Sequence, residues 1–326
     1  MLPQLANVKR LSLHTCNLRS FSDFQRIVCA FPLLEEVHLT DVRAHTPRVL
    51  PVPPFHHSTL RSPKLTLLCI KYRVNDVFLD NLGRWIMIGS KIRTLDIRNV
   101  TMDILPASAG IAEFQIRTAS TLECLRVENP SGDTFDVDLM RRLGKHSFES
   151  LVHLRTLDLT FMYFPSPEAI KRELHSKLSY LASPTLEAVC LSLGLKLPED
   201  ETQLQYLISG SDRAGYHRLH VVLTRTVFDR LARVTVILDC RTRSSDVGRT
   251  KGTVSGVLVF LRALFAPWLL RGIVTLLVDN VGGAGRYVGV VAKNGQNPLW
   301  LFDEVGRRTR NRLLTDWRKS RGLQQR

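Results

Sequence analysis

The chain of 326 residues has no C-x-x-C pair, no G-x-S-x-G and no H-E-x-x-H. It also lacks an uncharged apolar run approaching the roughly 18 residues that a membrane span needs. These absences exclude the paired-cysteine zinc and dithiol sites, the serine-hydrolase elbow and the zincin motif. The most apolar region, Val254 to Val278, is interrupted by Arg262, Pro267 and Arg271, so it reads as a buried helix followed by a strand. Six cysteines, Cys16, Cys29, Cys69, Cys124, Cys190 and Cys240, are scattered without the cysteine-rich caps of a secreted repeat domain. Lys9 and Arg10 follow only a few mixed residues, which is not a signal-peptide pattern. Together these features predict an intracellular protein of the cytoplasm or nucleus with no membrane contact.

Stretches that approach a catalytic or ligand-binding motif have simpler readings. His56 and His57 are adjacent, but no carboxylate or cysteine stands at ligand spacing, so they read as part of a solvated loop. His217 and His220 lack an acidic partner, and Asp136 and Asp138 fall in the first turn of a predicted helix, where acids complement the dipole. Gly282-Gly283-Ala284-Gly285-Arg286-Tyr287-Val288-Gly289 fits neither the dinucleotide fingerprint nor the Walker spacing, and reads as a turn. No catalytic residue, metal ligand or cofactor is predicted, and the chain is read as a non-enzyme.

What is present is a repeat. Leu151-Val152-His153-Leu154-Arg155-Thr156-Leu157-Asp158-Leu159 places apolar residues at intervals of three, three and two. The pattern returns as Leu5, Val8, Leu11, Leu13; as Phe31, Leu34, Val37, Leu39; and as Leu65, Leu68, Ile70. Further copies are Ile92, Leu95, Ile97; Leu122, Leu125, Val127; Leu186, Val189, Leu191; and Phe228, Leu231, Val234, Val236. Successive copies lie 26, 31, 27, 30, 32, 32 and 45 residues apart, counted from Leu11 to Val234. A strand preceded by a turn that tucks its own leucine inward satisfies this spacing, as in a leucine-rich repeat. The expected fold is α/β: an irregular leucine-rich-repeat solenoid, a horseshoe with parallel strands on the concave side and helices on the convex side.

The expected organisation is one elongated domain over 1–280, with about eight strand-helix units and a helix-strand cap at 254–278. A Gly-containing loop region follows at 281–306, and then a basic tail at 307–326. Among the returns, Ser22 and Gln25 have capping-box spacing before a helix with Phe24, Ile27, Val28 and Phe31. Asp76 to Ile88, Asp133 to Phe148 and Pro198 to Leu207 also read as helical. Ser166-Pro167-Glu168 begins a helix burying Ile170, Leu174, Leu178 and Leu181, and His217 to Leu223 gives a shorter one. Residues 43–63 hold five prolines and read as an irregular loop.

Ser62-Pro63-Lys64-Leu65, Ser183-Pro184-Thr185-Leu186, Phe31-Pro32-Leu33-Leu34 and the Arg271-Gly272-Ile273 that follows the last repeat form a familiar combination. The chain resembles, over about residues 1–280, the leucine-rich-repeat region of the F-box-type families of mushroom-forming fungi. The resemblance implies a substrate-recognition part of an F-box-type ubiquitin-ligase adaptor. No F-box is expected within this sequence, because Leu2-Pro3-Gln4-Leu5 leads straight into a repeat strand. Docking to the ligase linker protein is therefore not expected.

Function is thus sought on the surface. Side chains alternate along a strand, so residues between the buried leucines share the concave face. They are Arg10, Ser12 and His14; Glu36 and His38; Thr94, Asp96 and Arg98; Arg126 and Glu128; Thr156, Asp158 and Thr160; and Arg233 and Thr235. The charged residues and histidines among them are the partner-binding candidates, and their mixed charge suits a protein ligand. The expected role is a non-enzymatic protein–protein interaction module. The alternative starts from a net charge of +15. Arg307, Arg308, Arg310, Arg312, Arg318, Lys319 and Arg321 cluster around Trp317, a composition suited to nucleic acid through phosphate contacts and base stacking.

Overall fold

The computed structural model describes residues 7–44, 65–74, 78, 81–82, 85, 92–98, 119–129, 148–164, 166–196, 213–241, 257, 259–279, 288–290 and 299–301. The helix expected at Pro198 to Leu207, nearly all of that at Asp133 to Phe148, most of the loop at 43–63 and the whole basic tail lie outside these residues. Among the described residues, ten strands form a mostly parallel open sheet that runs in the order Arg10–His14, Glu36–Ala44, Leu67–Val74, Thr94–Arg98, Cys124–Asn129, Thr156–Phe164, Ala188–Lys196, Arg233–Arg241 and Val274–Asp279, with Asn17–Leu18 pairing Glu36–Ala44 off that path. The chain divides into two compact units, Met1–Thr160 with Ser179–Glu187, and Phe161–Leu178 with Ala188–Arg326.

The first unit contains β1 (Arg10–His14), β2 (Asn17–Leu18), α1 (Phe21–Cys29), β3 (Glu36–Ala44), β4 (Leu67–Val74), β5 (Thr94–Arg98), β6 (Cys124–Asn129) and the start of β7 (Thr156–Phe164). Each strand adds parallel to the one that precedes it in the repeat series, in a register set by the sequence period. Leu11 stands beside Val37, Val37 beside Leu68, Leu68 beside Leu95, and Leu95 beside Leu125. The repeat therefore stacks like on like: Leu34, Val37, Leu39, Leu68, Leu95, Leu125 and Leu157 are all buried. The turn after the strand recurs as well. Thr15 and Asp41, 26 residues apart, both have a positive φ, at 52° and 53°. Cys16 makes the backbone contact its position calls for, its thiol donating to the His14 carbonyl at 3.3 Å.

Two sets of interactions fasten one repeat to the next. At the start of the strands, the carbonyls of Lys9, Glu35, Thr66, Arg93 and Glu123 each accept two backbone N–H bonds from the following repeat. Their side chains form a ladder of exposed ion pairs, Lys9–Glu35 at 3.5 Å, Arg93–Glu123 at 3.6 Å and Arg155–Glu187 at 4.0 Å. Exposed pairs of this kind contribute at most about 1 kcal/mol each, so the ladder favours the register more than the fold. The second set consists of hydroxyl clamps. Thr121 donates to the Ile92 carbonyl at 2.8 Å, and Ser183 to those of Leu154 and Val152 at 2.7 and 3.1 Å. Ser183, from one of the two Ser-Pro-x-Leu copies, is thus a buried donor to carbonyls of the preceding turn.

α1 is capped by Ser20 and Asp23 where the sequence suggested Ser22 and Gln25. Ser20 has an extended backbone, its hydroxyl accepts from the Asp23 N–H at 3.3 Å, and the Asp23 carboxylate accepts from the Ser20 N–H at 3.1 Å. Ser22 already lies inside the first turn, where it has no orphan donor to satisfy. The buried side of α1 places Phe21 and Phe24 against Phe78 and Trp85 in edge-on contacts, centroids 5.1 to 6.1 Å apart.

The second unit continues with the end of β7, α2 (Pro167–Leu178), β8 (Ala188–Lys196), α3 (Arg213–Leu223), a 3-10 turn at Thr226–Phe228, β9 (Arg233–Arg241), α4 (Ala266–Leu270) and β10 (Val274–Asp279). Val189, Val234 and Val274 are neighbours across three parallel strands, as are Leu191, Val236 and Leu276. α2 starts as read, with Ser166 accepting from the Ala169 N–H at 3.2 Å and Ile170, Leu174 and Leu178 buried. The helix expected over Val254 to Leu270 is broken at Phe265, because Pro267 cannot donate to the preceding turn and α4 restarts at Ala266. The region 281–306, expected as loop, contains a short antiparallel pair, β11 (Val288–Val290) with β12 (Leu299–Leu301).

Arg271 does in this unit what Ser183 does in the first. Its Nη1 donates to the Phe228 carbonyl at 2.8 Å, and its Nη2 to those of Asp229 and Leu231 at 3.0 and 3.1 Å. One guanidinium fork thereby closes the turn before β9. Arg271→Met should cost about 1 to 3 kcal/mol in a urea titration, with Arg271→Lys restoring little because an ammonium lacks the planar fork.

α2 also buries a charge that the sequence did not suggest. Lys177 is only 2% exposed, and burial pushes its amine down to about 8, with Glu173 pulling weakly the other way. The unfolded chain, with an ordinary lysine pKa near 10.4, then holds that proton more tightly than the folded chain. This group's contribution to stability should therefore rise from about pH 8 to about pH 10.4, by up to about 1.4 kcal/mol per pH unit. Denaturation curves of Lys177→Met at several pH values should lack that rise. A rise as steep as in the wild type would contradict it.

Candidate partner-binding face

The strand positions between the buried leucines form rows across the sheet. One runs Arg10, Glu36, Leu67, Thr94, Cys124; the next runs Ser12, His38, Cys69, Asp96, Arg126; the third runs His14, Thr40, Lys71, Arg98, Glu128. Alternation along each strand makes this the polar side of the first unit, as expected. Its exposure, however, is not uniform. Arg10, Ser12 and His14 on the edge strand are exposed, Glu36, His38 and Thr40 are half-buried, and Cys69, Asp96 and Arg126 are buried.

This gradient corrects part of the expected site. Asp96, Arg126 and Asp158 are 5%, 9% and 8% exposed, so they are not solvent-facing partner contacts. Parallel strands stand about 4.8 Å apart, so a long side chain with neighbours on both flanks loses water that an edge residue keeps. Asp96 and Arg126, side by side in the register, form an ion pair at 3.9 Å. Arg98 lies in β5 with its side chain outside the described residues, while Glu128 is half-buried in β6. Arg233 is exposed at the start of β9 in the second unit. All the tail candidates, Arg307 to Arg321 with Trp317, lie outside the described residues.

What stays accessible in the first unit is the β1–β3–β4 end. Arg10 donates through Nε to the Glu36 carboxylate. That bond holds Glu36 below the usual carboxylate range and raises Arg10 further. His38 Nε2 stands 3.6 Å from the same carboxylate. Burial pushes the His38 imidazole below the usual histidine range; Glu36 pulls it back, and Arg10 and Lys71 press it further down. Lys71, absent from the sequence-based candidates, belongs here because it occupies the same offset in its repeat as His14. The repeat spacing carried that signal.

Among the described residues no group of three or more histidine, cysteine or acidic side chains is placed to hold a metal ion. No helix among them is long and apolar enough to cross a membrane. The arrangement offers hydrogen-bond donors and charges of both signs on adjacent strands. Set against known proteins, the chain matches no protein-family model and no curated protein.

Proposed function

We propose that this chain is a non-enzymatic protein-interaction module, a divergent leucine-rich-repeat solenoid that binds a protein partner on the polar face of its sheet. The observation that carries this reading is the in-register polar rows, which open to solvent at β1 and β3. Backbone bonds to β3 hold β1, and bonds to β1 and β4 hold β3, so the strands that carry these side chains lose little backbone entropy on binding. The resemblance in the Ser-Pro-x-Leu and Arg-Gly-Ile motifs supports a narrower role, as the substrate-recognition part of an F-box-type ubiquitin-ligase adaptor.

The test is a photo-cross-linking residue at Ser12, on the exposed part of the face, in the intact chain. It should capture a discrete protein partner from cells, while the same residue at the exposed Arg172 of α2 should not. Identical capture at both positions would remove the face from consideration.

A second reading rests on the charge of the sequence itself, in which Arg307 to Arg326 holds seven arginines and one lysine against Asp316. In this reading the tail binds single-stranded nucleic acid without sequence preference. Log affinity against log salt should then fall with a slope of about −0.7 per phosphate contacted. Binding insensitive to salt would exclude it.

A further inference from the structure

We propose that the β1–β3–β4 end of the polar face docks an acidic segment of the protein partner, held between Arg10 and Lys71, with His38 adding a third positive contact as pH falls. The inference rests on the interaction reading above and names the partner's chemistry. Three adjacent strands bring Arg10, His14, His38 and Lys71 to one accessible patch, with Glu36 as the acid among them. Glu36 is already engaged, since Arg10 bonds it through Nε and His38 lies 3.6 Å away. A guanidinium bound through Nε still has donors on both terminal nitrogens, the fork that fits a second carboxylate. Further along the row of Ser12 and His38, Cys69, Asp96 and Arg126 are buried.

His38 makes the docking pH-dependent. The groups that face it are Arg10 and His14 from β1, Glu36 on its own strand, and Cys69 and Lys71 from β4. In the free protein, burial and the cations Arg10 and Lys71 outweigh Glu36, so the ring stays neutral further into acid than an ordinary histidine. A partner carboxylate above the patch reverses that balance and favours the imidazolium. Binding then takes up a proton at His38, and affinity rises as pH falls.

The test uses the full chain and two labelled probes, a Glu–Gly repeat peptide and its Lys–Gly counterpart, at low ionic strength. The acidic probe should bind and the basic one should not, with an affinity gain of up to about tenfold per pH unit between about pH 7.5 and about pH 5.5. His38→Gln should remove the pH dependence of acidic-probe binding. Arg10→Gln with Lys71→Gln should weaken the acidic probe about tenfold. Lys71→Gln alone, which keeps the Arg10–Glu36 bond, serves if the double variant does not fold. Carbodiimide should join the acidic probe to the Lys71 amine, read by mass spectrometry. Equal binding to wild type and the Arg10/Lys71 variants, or cross-links confined to other lysines, would overturn the proposal and assign the probe to basic residues elsewhere. Capture of a partner at Ser12 alongside a probe that ignores Lys71 would overturn the acidic docking alone and leave the interaction reading standing.

Discussion

Leu157→Asp should abolish the cooperative unfolding transition of the first unit. Leu157 is fully buried in β7, at the repeat position that Val37, Leu68, Leu95 and Leu125 fill in their own strands. Its loss removes about 1.5 to 3 kcal/mol of burial, and an unpaired carboxylate in its place costs several more. A domain stable by about 5 to 15 kcal/mol has little left after that. Arg155→Ala provides the contrast two residues away. Its side chain is exposed and its pair with Glu187 spans 4.0 Å, so the cost should be about 0.5 kcal/mol or less. Urea titrations followed by circular dichroism compare the two, and equal effects would contradict the register.

The second large effect is expected at Arg126. Arg126→Met should destabilise the unit by about 3 to 5 kcal/mol, because it removes the cation that pairs with the buried Asp96 carboxylate. Adding Asp96→Leu to Arg126→Met should restore stability to wild type or above, since a buried ion pair often contributes no more than well-packed apolar residues. The Asp96→Leu single variant should resemble Arg126→Met in cost. A double variant as unstable as either single one would mean that the pair is not what the two charges are there for.

The strands were legible because the buried positions recur at nearly one spacing, and burial leaves little choice of residue. Leu11, Val37, Leu68, Leu95 and Leu125 line up in the sheet as they do in the sequence. The polar face was legible only as alternation. How much water reaches Asp96 depends on its strand's place within the sheet, which no single strand encodes. Lys177 was missed for a related reason: helical spacing marks apolar stripes, while a long aliphatic stem can follow its neighbours inward without showing in that pattern. The cap of α1 was misplaced by two residues because Ser20 and Ser22 are equally suited by composition, and backbone geometry alone separates them. Lys71 could have been found, since its offset in the repeat matches that of His14.

The most direct measurement is quantitative capture of cellular proteins by three forms of the intact chain: wild type, Arg10→Glu with Lys71→Glu, and a form with Arg307, Arg308 and Arg310 changed to Gln. Binding through the polar face predicts a protein partner retained by the wild type and the tail variant and lost from the face variant. A partner retained by the face variant and lost from the tail variant would contradict it.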